Sequence, residues 1–387
     1  MFLTVVTFIL VLSVLVFVHE LGHFWTARKF GVKAEEFGFG FPPRAFGIYK
    51  SVSGKWKKVR GSKEVDDAAD TIYSVNWIPL GGFVKLNEDD SESDDPNHFI
   101  NMPIWKRAVV LSAGVSMNML LAIVLISIGL MVGMPQSLDA LDKNAIISDR
   151  KIQIMQIMDP SPAKNAGLAV GDIILGIDGK KFADYPAIQK YVDENKDKEL
   201  TYQIKHADEI KDFKIKPEIR QETGKGGIGV ALTETGLVKY PWYQAIWQGI
   251  RQTFVLAWVI LVAFYDLISG LVTGGGVSGE VAGPVGIASL TGQVARMGFV
   301  YLMQFTALLS INLAIINFLP FPALDGGRVL FLIIEKIKRK PVRRELEAII
   351  HNFGFMLLML LVLLVTFNDI VNIGPVRQFL SMVKGWF

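Results

Sequence analysis

The feature that most constrains this chain is a cluster of ionisable residues at the end of an apolar run of membrane length. Residues 2–18 carry no charged side chain, and His19-Glu20-Leu21-Gly22-His23 follows them directly. Histidines at i and i+4 share a helix face at the spacing that binds zinc, and the glutamate can serve as the base. Because ionisable groups in a membrane are costly unless they function, the pattern predicts an intramembrane zinc protease. A soluble zinc protease tethered by a signal anchor is the alternative.

Composition supports a membrane protein and limits the ligand chemistry. The chain has 387 residues, of which 51% are hydrophobic and 20% charged, so we expect several membrane spans and one soluble domain. A net charge of +3 gives no reason to expect a nucleic-acid partner. The chain contains no Cys, so metal ligands must come from His and carboxylates. The first run lacks a basic leader and a small-residue cleavage site, and we expect an uncleaved span.

Four stretches are apolar and long enough to cross a membrane. They are residues 2–24, 105–133, 299–323 and 347–367. A fifth stretch, 243–268, has Arg251 and Asp266 near its ends and several Trp and Tyr residues along it. Helices of this kind lie in the membrane interface, so we predict an interfacial helix, with a re-entrant helix as the alternative.

Basic residues predict the topology. They cluster in two loops, one after the first span and one between the third and fourth spans: Arg28, Lys29, Lys33, Lys55, Lys57, Lys58 and Arg60, then Lys336, Lys338, Arg339, Lys340, Arg343 and Arg344. By the positive-inside rule both loops are cytoplasmic, which puts both termini and region 135–298 outside. A crossing by 243–268 would move the second basic loop outside, so the charges favour four spans.

A soluble insert lies between the second and third predicted spans. Strand-like alternation in residues 151–157 is followed by Ser161-Pro162-Ala163-Lys164-Asn165-Ala166-Gly167-Leu168 and by Gly171-Asp172-Ile173-Ile174 through Ile177-Asp178-Gly179. This signature resembles the circularly permuted bacterial PDZ domain. The resemblance implies that the insert binds an extended peptide, such as a C-terminus, by strand addition. A spacer that binds nothing is the alternative.

A third metal ligand is expected at the end of the third span. Asp325 follows Pro320 and Pro322, which break the helix, and precedes Gly326 and Gly327, which permit a tight turn. Other histidines stand alone: His98, His206 and His351 are not expected to be ligands, and His98 is expected to be exposed to solvent.

HELGH and Asn317-x-x-Pro-x-Pro-x-Leu-Asp-Gly together resemble the site-2 protease family, in particular its bacterial RseP-type members. The resemblance implies that His19, His23 and Asp325 bind Zn²⁺ and that Glu20 is the catalytic acid and base. Two departures are Val115, where the family has proline in its second-span motif, and a single PDZ domain, where the best-known relatives have two.

Residues 71–86 form two apolar stretches around Pro79-Leu80-Gly81-Gly82. In the family this segment resembles a membrane-dipping β-hairpin beside the zinc, whose edge would hold substrate as an added strand through Gly81, Gly82, Phe83 and Val84. An ordinary cytoplasmic hairpin is the alternative. Asn317 would donate a hydrogen bond to the substrate backbone, or else cap the broken helix.

The sequence thus predicts a polytopic α-helical membrane protein with four transmembrane helices, a membrane-associated β-hairpin and one inserted extracytoplasmic PDZ domain. Its expected regions are 1–134, 135–236, 237–298 and 299–387. We expect it in a bacterial cytoplasmic membrane, with its active site towards the cytoplasm. Its substrates would be single-span membrane proteins, such as anti-sigma factors or signal-peptide remnants, cut second in a proteolytic cascade. A proteolytically inactive PDZ-containing scaffold or chaperone is the rival, and a transporter is disfavoured because the spans show no internal repeat.

Overall fold

The computed structural model of the protein describes residues 2–86, 98–138, 141, 144–206, 209–219, 224–274 and 282–372. The predicted position of the C-terminus falls on residues outside this set. The chain divides into two compact units, Met1–Ser127 with Ile246–Phe387, and Ile128–Ala245. The helices of eight or more residues, together with one short turn of helix, are α1 Phe2–Lys29, α2 Ile104–Val132, α3 Pro162–Asn165, α4 Tyr185–Glu194, α5 Trp242–Thr273, α6 Pro284–Met297, α7 Phe299–Phe318, α8 Asp325–Lys338 and α9 Arg344–Asn372.

The strands are β1 Ala34–Lys50, β2 Trp56–Arg60, β3 Ile72–Leu86, β4 Met134–Ser137, β5 Ile146–Ile157, β6 Ile173–Ile177, β7 Leu200–His206, β8 Glu209–Ile215, β9 Glu218–Ile219, β10 Gly226–Gly227 and β11 Val230–Lys239.

Five helices in the described part of the chain are long and apolar enough to cross a membrane. Four of them, α1, α2, α7 and α9, correspond to the predicted spans, and the fifth is α5, so helix length and composition do not confirm a count of four. α7 ends at Phe318, earlier than the predicted residue 323. Leu319 is extended because the ring of Pro320 disfavours helical backbone at the residue before it.

The sheet of the first unit is built from two long strands that fold back on themselves. Phe37 pairs with Tyr73 on one side and with Val84 on the other, and Phe39 pairs likewise with Val75 and Gly82. The first half of β1 therefore lies between the two halves of β3 in the sheet. One edge of the sheet is β2. The other edge is the segment 82–86, and no other described strand pairs with its outer side.

Apolar side chains project from this sheet, and the described residues leave them largely exposed. Phe39, Phe41, Trp77 and Ile78 are each at least 40% exposed. A soluble surface seldom leaves so many large apolar groups together, whereas a surface inserted among lipid tails does.

The second unit is a six-stranded sheet in the order β4-β11-β5-β6-β7-β8. Its core is a cluster of aliphatic side chains around fully buried Tyr202, with α4 packed on it through Ile188 and Val192. Ser161 caps α3 and Asp184 caps α4, each by accepting a backbone N–H. The unit therefore has a core of its own.

His98 is buried, not exposed as predicted, with only 3% of its surface accessible. Phe99 and Met102, which follow it, belong to a buried cluster with Val110 and Leu332. Packing of these neighbours carries His98 inward, which its polar sequence surroundings did not indicate.

Candidate active site

Three side chains from distant parts of the chain meet beside α1. His19 and His23 lie one turn apart on α1, both 6% exposed, and Asp325 is the first residue of α8. His19 Nε2 lies 3.0 Å and His23 Nε2 3.3 Å from Asp325 Oδ2, and the two Nε2 atoms are 3.2 Å apart. The arrangement is a triangle of three ligand atoms that faces a single point.

The triangle has the size that a tetrahedral zinc ion requires. Zinc bonds to His nitrogen and carboxylate oxygen of 2.0–2.1 Å place ligand atoms about 3.3 Å apart. The three observed separations fall at or just below that value. Two imidazoles and a carboxylate also form a donor set that zinc prefers in catalytic sites, with a fourth position left for water.

Hydrogen bonds at the far side of each imidazole orient the rings for metal binding. His23 Nδ1 lies 2.8 Å from the carbonyl oxygen of Val110, to which it can donate, leaving Nε2 with its lone pair. His19 Nδ1 lies 3.3 Å from the side-chain nitrogen of Asn118, whose oxygen has no partner among the described residues. A half-turn of this amide brings Oδ1 to the position where it accepts from His19 Nδ1–H.

Gly114 of α2 provides the room for the two imidazoles. A Cβ atom at this position would lie 2.4 Å from His23 Nε2 and 2.8 Å from His19 Nε2. Any larger residue would occupy the space in front of the ligand atoms. The close approach of α2 thus shapes the metal pocket as well as packing the helix pair.

The turn between α7 and α8 delivers Asp325 to the histidines. The turn is so tight that a Cβ at Gly326 would lie 2.3 Å from the carbonyl oxygens of Phe318 and Leu319. The far end of α8 is tied to α2 by Arg107, whose guanidinium lies 2.6 Å from Glu335. Asp325 is therefore held by contacts at both ends of its helix.

Glu20 and Asn317 share a cavity with two of the candidate ligands, His19 and Asp325. The cavity, of about 200 Å³, is lined by Val16, His19, Glu20, Asn317 and Asp325 among others. Glu20 follows His19 directly on α1 and lines the same cavity. Asn317 lies close enough to contact a molecule that enters this space.

The β-hairpin is attached to α1 next to Glu20. A Cβ at Gly82 would lie 2.8 Å from Phe17 Cα and 3.2 Å from Glu20 Cβ. The Ser13 hydroxyl donates to the Pro79 carbonyl at 2.9 Å and accepts from the Gly81 N–H at 3.3 Å. Gly81 and Gly82 thus lie against α1, and Phe83 and Val84 continue from there along the edge that no other described strand pairs with.

Sequence reasoning missed two residues at this site. Asn118 is not among the residues predicted for the site, although an Asn on an apolar helix is a signal for a buried hydrogen bond. His351 was set aside as isolated, yet its Nδ1 lies 2.8 Å from the backbone nitrogen of Ala323, two residues before Asp325. Its distance of 28 positions from that turn gave no local signal.

Comparison with known proteins finds a family model and relatives that match most of the chain. The family model "Peptidase family M50" matches residues 7–58 and 62–361. The chain is 31% identical to "Regulator of sigma-W protease RasP" of Bacillus subtilis, covering 95% of this chain and 98% of that protein. It is 29% identical to "Zinc metalloprotease RasP" of Geobacillus kaustophilus, covering 95% and 97%.

Among solved structures, the PDZ domain of the SdrC-like protein of Listeria monocytogenes is 27% identical over 22% of this chain and 92% of that domain, with a TM-score of 0.21. The family match extends over most of the chain and includes both HELGH and the segment around Asp325. The chain therefore belongs to peptidase family M50, the site-2 proteases.

Proposed function

We propose that this zinc metalloprotease cuts peptide bonds within the membrane segments of single-span proteins, with His19, His23 and Asp325 as zinc ligands and Glu20 as general acid and base. The observation that carries the proposal is the ligand triangle, with separations of 3.0–3.3 Å beside a carboxylate and an open strand edge. A protease that acts within the membrane would use all three: the metal ligands, the carboxylate and the strand edge.

The chemistry follows from where the side chains lie. Bound zinc supplies Lewis acidity towards a water and a peptide carbonyl. Glu20 accepts the proton of the attacking water and returns it to the leaving amine, a role open to a carboxylate within reach of both. Asn317, on the same cavity, donates a hydrogen bond to the substrate backbone.

The open edge of the sheet suits a substrate strand. A transmembrane helix hides its peptide bonds, so the substrate must be extended before it is cut. Pairing with Gly82, Phe83 and Val84 satisfies the backbone groups of an extended segment at a depth where water is scarce. The strand would then run beside Glu20, since Gly82 contacts the same helix turn.

Contacts within the first unit support four spans, with α5 not crossing. A Cβ at Gly249 would lie 2.1 Å from Ser127 Oγ, near the outer end of α2. The N–H groups of Gly283 and Gly286 donate to Asp369 at the outer end of α9. If α5 crossed, the chain would have to cross back between Gly274 and Ala282. The hydrocarbon core is about 30 Å thick, and eight residues of fully extended backbone reach at most about 29 Å.

Such a return would also leave backbone groups unsatisfied in lipid. The proposed topology therefore places the HELGH end towards the cytoplasm of a bacterial inner membrane and the second unit outside. In that position the second unit, a PDZ domain by its sequence signature, meets substrates already trimmed on the outer side. A newly formed peptide C-terminus there would mark a substrate for the second cut.

The test is cleavage of a single-span model substrate by the purified full-length protein in liposomes. We expect wild type to release two fragments, and both Glu20→Gln and chelator-treated wild type to release none. Glu218→Gln, an exposed glutamate of the second unit, is the matched control and should cleave normally. Bound zinc without cleavage of any of several substrates would overturn the proposal in favour of an inactive scaffold.

A further inference from the structure

The turn that carries Asp325 contains a strained residue. Ala323 has φ +80°, in the left-handed region where a Cβ crowds the following carbonyl, and it is not glycine. Such a conformation persists only where surrounding contacts impose it. Since Ala323 stands two residues before Asp325, its backbone angles set the direction in which the chain enters α8.

His351 of α9 supplies the contact that imposes this conformation. The Ala323 N–H donates to His351 Nδ1 at 2.8 Å. A backbone N–H can only donate, so Nδ1 must be the unprotonated ring nitrogen. His351 Nε2 then faces Glu347 Oε1, 3.9 Å away on the preceding turn of α9.

Packing holds the ring and its helix against the turn. The His351 ring lies 5.4 Å from the ring of Phe331 of α8, centroid to centroid. One turn further along α9, a Cβ at Gly354 would lie 2.4 Å from Pro322 Cβ and 2.6 Å from its carbonyl oxygen. Positions 351 and 354 share a helix face, so α9 approaches the turn with both residues at once.

We infer that His351 is a positioning residue for the metal site: it holds Ala323 in the left-handed conformation and so places the Asp325 carboxylate against the two histidines. His351 touches neither ligand nor substrate. The inference rests on the proposed role of Asp325 as a ligand, and it assigns to α9 a function beyond crossing the membrane.

The test is a four-protein comparison that uses zinc affinity as well as cleavage. His351→Phe keeps a ring against Phe331 and removes the acceptor, and we expect zinc affinity, from chelator competition, to fall about tenfold or more. Glycine adopts positive φ without help. The same substitution made in an Ala323→Gly background should therefore lower zinc affinity at least several-fold less.

His351→Asn is the rescue control, because Asn Oδ1 can accept where Nδ1 did, and we expect it to bind zinc more tightly than His351→Phe. Equal losses in the wild-type and Ala323→Gly backgrounds, or no loss in either, would overturn the inference. Melting of each detergent-purified protein identifies any variant that has unfolded. Asp325→Asn, measured alongside, tests the ligand role separately: unchanged zinc affinity there would refute the proposed site and not the contact from α9.

Discussion

At the scale of single residues, the proposed metal site depends as much on a position without a side chain as on its three ligands. His19 and His23 are fixed by one turn of helix, which is why their pairing could be predicted from spacing alone. The space in front of them depends on Gly114 of α2. The sequence could not indicate this role, because it depends on how α2 packs against α1.

Gly114→Ala is expected to abolish zinc binding and cleavage, because its Cβ would lie 2.4 Å from His23 Nε2. Such an overlap can be relieved only by moving the ring or the helix. Metal content of the purified protein is the measurement, and Ser116→Ala, two residues along the same helix with an exposed side chain, is the control. Full zinc occupancy in Gly114→Ala would show that the helices separate readily.

At the scale of elements, the sheet combines an open edge with a buried ion pair. Residues 82–86 form the edge that the proposed substrate strand would extend. Arg44 holds Glu36 through two guanidinium hydrogen bonds in the bend of β1, with side chains only 11% and 12% exposed.

Val84→Pro is expected to reduce cleavage strongly while zinc remains bound, because proline removes an N–H from the edge and adds a ring where a strand would lie. Val84→Thr keeps the N–H and the β-branched shape, and it should cleave at close to the wild-type rate. The measurement is the initial cleavage rate in liposomes. Cleavage by Val84→Pro at the wild-type rate would exclude pairing at this residue.

The ion pair gives the sheet an acid-sensitive contribution to stability. Burial alone would raise the pKa of Glu36, but the hydrogen bonds and the charge of Arg44 hold that pKa below its usual value. A carboxyl whose folded pKa is depressed stabilises the protein above its unfolded pKa, about 4.3, and loses that contribution as the pH falls through the folded value.

Glu36→Gln should therefore lower the free energy of unfolding by about 1–3 kcal/mol at neutral pH. The variant should also lose less stability than wild type when the pH is lowered below about 4. Melting midpoints in detergent across this pH range measure the difference. Parallel pH profiles for the two proteins would show that the pair contributes no acid sensitivity.

At the scale of the whole molecule, the sequence predicted more of the membrane part than of its internal contacts. Apolar length identified α1, α2, α7 and α9, and the two prolines located the turn before Asp325. The sequence could not identify the contact of His351 with Ala323 or the burial of His98, because both depend on which elements pack together in the fold. For α5 the two kinds of sequence signal differ: the basic loops predict that it does not cross, whereas its length and composition would allow a crossing.

The course of α5 can be settled with single cysteines, since the chain has none of its own. In sealed cells, a membrane-impermeant maleimide should label Cys at Lys181 and at Thr273, and should fail to label Cys at Ser53 and at Lys340 until the membrane is opened. Labelling at Thr273 distinguishes the models, because a crossing α5 would put that residue inside. Protection of Thr273 together with labelling of Lys340 would favour five spans.

The two hydrogen bonds of Ser13 with Pro79 and Gly81 bear on where a substrate would be cut. They hold the proposed docking strand in a fixed position on the helix that carries Glu20, the proposed general base. We therefore expect strand register, and not recognition of one residue, to decide where the substrate is cut. Strand side chains alternate between faces, and a slip of one residue would turn every side chain over. Alternative cleavage sites in one substrate should thus be separated by even numbers of residues. Mass spectrometry of the cleavage products would measure this spacing.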